Sequence, residues 1–164
     1  MSQITLKGNP VNTVGKLPDV GSSAPDFNLV KIDLSEISKS DFAGKNVILN
    51  IFPSIDTPTC ALSTKRFNTE AAKLENTVVL CVAADLPFAQ KRFCAAEGID
   101  NVETGSSFRS DFGTAYGLEI ADSVLKGLLS RAIIVINGEG NVIYTEQVPE
   151  IANEPDYESA IAAI

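Results

Sequence analysis

The sequence predicts an α/β layer fold, a mixed sheet flanked by helices, and three observations carry that expectation. The runs Asn46–Phe52 and Thr77–Ala84 are mostly apolar and rich in β-branched residues, the pattern of central strands covered on both faces. Each is followed by a stretch with apolar residues at helical spacing, Cys60–Leu74 and Leu86–Glu97. A further apolar run, Arg131–Ile136, is joined to Val142–Thr145 by Asn137-Gly138-Glu139-Gly140, strong hairpin chemistry. A sheet whose central strands are apolar on both faces must be covered by helices.

In chain order, residues 3–14 read as an N-terminal β-hairpin, with Ile4 and Leu6 before the Gly8-Asn9-Pro10 turn and Val11 after it. Gly21-Ser22-Ser23-Ala24-Pro25 is loop chemistry, and Asp26–Leu34 alternates imperfectly as a further strand. Pro53 ends the first central strand, and a loop runs to Thr59. Leu62, Phe67, Ala71 and Leu74 then give the first helix its apolar face, and Gly98 closes the second helix in the C′ role. The following stretch, punctuated by Gly105, Gly113 and Gly117, is less regular, with a short helix near Phe112. Pro155–Ile164 predicts a terminal helix. Without repeat, linker or low-complexity tract, the 164 residues suit one domain over 1–164.

Composition removes several function classes. With 13 basic and 21 acidic side chains the net charge is −8, against a nucleic-acid binder, which shows a basic patch or stripe. No histidine is present, so a Ser-His-Asp triad, a Cys-His pair and any His-ligated metal site are excluded. Cys60, Cys81 and Cys94 form no C-x-x-C, which argues against a zinc ribbon or a thioredoxin-type dithiol, and their odd, low count suggests reduced thiols. The start lacks a basic stretch followed by an apolar one, and no window approaches the apolar length of a membrane span. A soluble, cytoplasmic protein is the expectation.

Cys60 falls where a buried strand has ended and a helix begins, so first-turn amides and the helix dipole favour a thiolate there. Position alone leaves it equally readable as a small core residue, since free cysteine is among the most buried types. The neighbours add weight: Pro53, Thr57 and Cys60 form Pro-x-x-x-Thr-x-x-Cys within Phe52-Pro53-Ser54-Ile55-Asp56-Thr57-Pro58-Thr59-Cys60. Arg131, Thr57 and Pro53 are ordinary when taken singly, an arginine at a strand start being most often a surface ion-pair partner. Cys94 is in the same way readable as a core-facing small residue of its helix. Cys81, mid-strand between Leu80 and Val82, belongs with the core.

The Pro53–Cys60 segment resembles the active-site signature of peroxiredoxins, and the chain as a whole resembles their bacterial thiol peroxidase branch, the atypical two-cysteine type. The resemblance extends through the N-terminal hairpin, Ala24-Pro25-Asp26-Phe27, the Pro87-Phe88-Ala89-Gln90 to Phe93-Cys94 helix and Ser130-Arg131-Ala132. It implies a thioredoxin-like fold and a thiol-dependent peroxidase. Cys60 would be the peroxidatic cysteine, with Pro53, Thr57 and Arg131 around it. Cys94 would be the resolving cysteine, closing an intrachain disulfide that thioredoxin reduces. A homodimer is expected, and no metal, haem or flavin is implied.

The chemistry gives these residues reasons to be present. A thiolate displacing one oxygen of an O–O bond places negative charge on the other, which fixed donors stabilise. The Arg131 guanidinium supplies such donors, favours the thiolate and can hold the peroxide. The Thr57 hydroxyl can accept from the thiol or donate to peroxide, and the compact Pro53 ring can exclude water. Leu125, Leu128 and Leu129 fit a dimer interface, an alkyl pocket or the core, with the core favoured for any one of them. Two rivals remain at this stage: a redox sensor that uses the Cys60–Cys94 pair without turnover, and a structural domain with slow thiols.

Overall fold

The computed structural model describes residues 2–164. A two-stranded antiparallel sheet, β1 (Gln3–Leu6) and β2 (Asn9–Asn12), precedes a seven-stranded sheet. That larger sheet comprises β3 (Asn28–Val30), β4 (Glu36–Ser38), β5 (Asn46–Ile51), β6 (Thr77–Ala83), β7 (Glu103–Ser106), β8 (Ala132–Ile136) and β9 (Val142–Gln147). Its order is β4-β3-β7-β6-β5-β8-β9. β5, β6 and β7 run parallel, whereas β8 is antiparallel to β5 and β3 is antiparallel to β7, so the sheet is mixed as the sequence predicts.

β5 shows why helices must cover both faces. Val47, Leu49 and Ile51 point into one apolar layer with Phe27, Phe112, Tyr116 and Leu129. Ile48 and Phe52 point into the other, where Cys60 and Phe67 of α1 (Pro58–Ala71) and Tyr157 and Ala160 of α4 (Tyr157–Ala162) pack. The strand rule of alternating faces thus sorts consecutive apolar residues into two cores. α2 (Pro87–Glu97) lies against β7, with Gln90 donating to the Gly105 carbonyl at 3.3 Å. Gly98 ends it at φ +66, its amide donating to the Cys94 carbonyl. α3 (Phe112–Ala115) is the short helix expected near Phe112.

Two strands differ from expectation. The run from Asp26 breaks after Val30 into a turn with Leu34 at φ +70, and the chain returns as β4. Asp33 accepts from the Ser35 amide and hydroxyl and fixes that turn. β7 is a real strand within the irregular-looking stretch, and a Cβ on its Gly105 would lie 2.9 Å from Leu29 Cδ1. The terminal helix is shorter than expected, opening only after Asp156, whose carboxylate accepts from the Ser159 amide.

The N-terminal hairpin docks on the other end of the chain. Thr5 donates its amide to the Pro149 carbonyl at 2.8 Å and accepts from the Ile151 amide at 2.9 Å. Glu150 accepts from the Gly8 amide, the Thr5 hydroxyl and the Ala152 amide. These bonds to backbone and hydroxyl donors, the Ala152 and Gly8 amides foremost, hold its carboxyl down at about 2. No helix among the described residues is long and apolar enough to cross a membrane.

Candidate active site

The pairing of β5 with β8 places Ala132 opposite Ile51, so Arg131 lies beside Phe52 and Pro53 at the carboxyl end of β5. Pro53 then ends the strand. Ser54 to Thr57 turn, with the Ser54 carbonyl accepting from the Thr57 amide at 3.1 Å and from its hydroxyl at 3.2 Å. Thr57 is the N-cap of α1, Pro58 fills the first helical position where its missing N–H costs nothing, and Cys60 is third. The helix therefore starts two residues earlier than its apolar period suggests.

Cys60 is fully buried. Arg131, only 3% exposed, donates from Nη2 to Cys60 Sγ at 3.3 Å and from Nε to the Ile151 carbonyl at 2.7 Å. Its Nη1 is buried with no hydrogen-bond partner among the described residues. A guanidinium with two nitrogens engaged and a third unspent is an oriented donor group, because its planar fork is fixed by the engaged nitrogens. A cleft of about 200 Å³ opens onto this group. Pro53, Thr57, Thr59 and Arg131 line it together with Leu125 and Ile151. Cys60 is not among the lining residues. A larger cavity of about 230 Å³ sits at the opposite end of the β5–β8 pair, beside Val47 and Ile136, away from all these residues.

The structure thus brings Pro53, Thr57, Cys60 and Arg131 together. The Thr57 hydroxyl donates to the Ser54 carbonyl and accepts from the Cys60 amide at 3.4 Å, so it caps the helix and makes no hydrogen bond to the Cys60 thiol. Of the three leucines ahead of Arg131, Leu129 is core, Leu125 lines the cleft and Leu128 is half-buried.

The three cysteines are free. Cys94 faces inward from α2 and lies near Cys81 of β6, and burial pushes its thiol up. Burial also pushes Cys81 up to about 12, although Asn50 donates to its sulfur at 3.6 Å. Cys60 sits instead against Arg131 at the start of β8, two strands from β6. The spacing of strands in a sheet separates those places by roughly 10 Å, whereas a disulfide needs sulfurs about 2 Å apart. Among the described residues no three His, Cys, Asp or Glu side chains cluster as metal ligands would.

Several supporting residues were not read from the sequence. The Ile151 carbonyl anchors Arg131, a backbone group 20 residues away that no side-chain motif announces. Asn50 is buried in β5 and donates to Ser63 Oγ at 3.4 Å, while Ser63 donates to the Cys60 carbonyl at 3.0 Å. A lone amide inside an apolar strand was the available signal. Asp85, after β6, accepts from Ser54 Oγ at 2.8 Å and the Ile55 amide at 2.7 Å.

The Redoxin family model matches residues 19–161. A thiol peroxidase of Mycobacterium tuberculosis is 60% identical over 164 residues, covering 100% of this chain and 99% of the relative. A thiol peroxidase of Corynebacterium glutamicum is 52% identical with the same coverage. A crystal structure of a peroxiredoxin-like protein from Aquifex aeolicus superposes with a TM-score of 0.91 at 41% identity, covering 99% of this chain and 95% of that one.

Proposed function

Because the chain belongs to the Redoxin family, as a peroxiredoxin of the bacterial thiol peroxidase type with a thioredoxin-like fold and an antioxidant, peroxide-reducing role, we propose that Cys60 is its peroxidatic and Cys94 its resolving cysteine. The carrying observation is the Arg131 guanidinium, one arm on Cys60 Sγ and another buried without a partner beside an apolar cleft.

In this reading the Cys60 thiolate attacks one peroxide oxygen. The S–O bond forms as the O–O bond breaks, and the leaving oxygen takes a proton to depart as water or alcohol. Arg131 Nη2 holds the sulfur while Nη1 donates to the peroxide oxygen on which charge develops. Thr57 acts by holding the first turn of α1, and the buried Pro53 ring keeps water from the sulfur. The Cys60 sulfenic acid then condenses with the Cys94 thiol, giving a disulfide and water. A thioredoxin dithiol reduces that disulfide and returns both thiols. A single domain over 1–164, a homodimer and a cytoplasmic setting belong to the same proposal and rest on family membership.

Steady-state peroxide consumption coupled to thioredoxin and its reductase tests it, with a glutathione system as comparison. Cys60→Ser should abolish turnover, Cys94→Ser should form one sulfenic acid per chain and stall, and Cys81→Ser should turn over nearly normally. Full thioredoxin-linked turnover by Cys94→Ser sinks the resolving role. Oxidation that stops after one event in the unaltered protein would leave the sensor reading.

A further inference from the structure

We propose that Asp85 is a positioning residue that ties down the Cys60-bearing turn and thereby sets how oxidised Cys60 divides between disulfide formation and over-oxidation. This rests on the reading of Cys60 and Cys94 given above. Asp85 stands in the connection between β6 and α2, half-buried, and no part of it lines the cleft. Its carboxylate accepts from two consecutive residues, Ser54 Oγ and the Ile55 amide, while the Ser54 carbonyl accepts from both the amide and hydroxyl of Thr57. Thr57 in turn caps the Cys60 amide. The carboxylate therefore reaches the first turn of α1 through an unbroken run of hydrogen bonds. Bonds to an ionised acceptor are the stronger kind. The backbone carbonyl of Asp85 also accepts from Ser106 Oγ, which fixes the anchor to β7.

The position has a second consequence. α2, the helix carrying Cys94, opens at Pro87, two residues after Asp85. One side chain thus joins the turn before Cys60 to the base of the helix bearing its partner thiol. The two sulfurs sit over different strands, so the Cys60 turn, the Cys94 helix or both must leave their places before they can bond. Until then the sulfenic acid faces a competitor: a second peroxide that transfers an oxygen to it, giving the sulfinic acid and water or alcohol. Releasing the tie favours the disulfide, and tightening it favours the sulfinic acid.

Population arithmetic separates this role from general damage. If the tied form holds nearly all molecules, a tenfold rise in a minor open form scarcely changes the fraction able to attack peroxide, while the step requiring the open form quickens about tenfold. Asp85→Ala should therefore keep its rate of peroxide attack within about twofold, form the Cys60–Cys94 disulfide about tenfold faster, and yield about tenfold less sulfinic acid at a given excess of hydrogen peroxide. Asp85→Asn should shift the division less than Asp85→Ala, because its amide oxygen still accepts from Ile55 and its NH2 can donate to Ser54 Oγ, though without the charge. Ser54→Ala, which loses one bond, should fall between, and it serves if Asp85→Ala fails to fold. Arg92 pairs with Asp56 across the same gap at 2.9 Å, but both side chains are more than half exposed. Arg92→Ala should leave the division unchanged.

The measurement is rapid acid quench after mixing with hydrogen peroxide, thiol alkylation, and mass spectrometry of thiol, sulfenic, disulfide and sulfinic forms. Faster disulfide formation at unchanged attack, graded across the three variants, supports the tie. An unchanged division in Asp85→Ala and Ser54→Ala, a parallel fall in both rates, or an Asp85→Asn variant indistinguishable from Asp85→Ala overturns it. If the unaltered protein forms no Cys60–Cys94 disulfide, the parent reading falls and takes this one with it. A disulfide that forms equally fast in every variant removes only the tie.

Discussion

Oxidising Cys60 and Cys94 to a disulfide is expected to change the stability of the fold by no more than about 1 kcal/mol, although loop closure alone argues for a large gain. The bridge would close a loop of about 35 residues, from Cys60 to Cys94 inclusive. The chain-entropy relation gives about 4 kcal/mol for that length. Against it stands the structure that must be given up. Loss of the Thr57 cap on Cys60 costs about 1 kcal/mol, and loss of the buried Gln90 bond to Gly105 about 1 more. Release of the partly buried Phe93 costs about 1 to 1.5 kcal/mol, roughly half of the full burial value for a large apolar side chain. The opposing contributions are of equal size. The chain has no tryptophan, so guanidinium unfolding is best followed by far-UV circular dichroism, at equal protein concentration and fixed redox state. A gain of the full 4 kcal/mol on oxidation, with amide protection of α1 and α2 unchanged, would refute the need for unwinding.

Three further outcomes follow from the site. Arg131→Met should slow sulfenic acid formation by about 10² to 10³, the usual effect of losing a transition-state donor, and Arg131→Lys should recover little because one ammonium cannot reach both Sγ and the Ile151 carbonyl; stopped-flow peroxide consumption decides, and near-normal Lys activity refutes the bidentate role. Glu150 is held at about 2 when folded against an ordinary 4.5, so its stabilisation of the hairpin dock is complete above pH 4.5 and is lost as pH falls through about 2. Hydrogen exchange at the Thr5 and Gly8 amides should follow that window, and Glu150→Gln should flatten it. Alkyl hydroperoxides should be preferred over hydrogen peroxide by about fourfold for each methylene buried in the apolar cleft, and Leu125→Ser should shrink that preference without slowing hydrogen peroxide; an unchanged ratio of efficiencies counts against the cleft.

The parts of the fold that could be read in the sequence are those whose burial is written locally. β5, β6 and the β8–β9 hairpin carry continuous apolar runs, and α1 and α2 carry helical periods. β7 could not be found this way, because Glu103-Thr104-Gly105-Ser106 has neither alternation nor apolar mass and owes its strand form to neighbours on both sides. β4 was hidden for a related reason: three residues after a tight turn give no period to detect. In the site, Pro53, Thr57 and Cys60 could be picked out because their spacing resembles the peroxiredoxin signature; loop and helix chemistry alone leaves Pro53 and Thr57 ordinary. The direction of the Thr57 hydroxyl was not legible, since a threonine before a helix serves as cap and as site residue with the same spelling. Asp85 carries no recognisable signal in the sequence, and only the folded chain shows what its carboxylate grips.

The docking of the hairpin against residues 149–151 bears on how the protein is born. Thr5 and Glu150 lie 145 positions apart, and Cys60 and Arg131 lie 71 apart. At translation speeds of about 5 to 20 residues per second, the guanidinium is made some 4 to 14 seconds after the thiol, and Ile151 and Ala152 of the cleft later still. Throughout that interval the nascent chain carries a cysteine without its cationic partner or its chamber. On the proposed reading of Cys60, synthesis order therefore withholds the Arg131 donor until the start of β8 has been made.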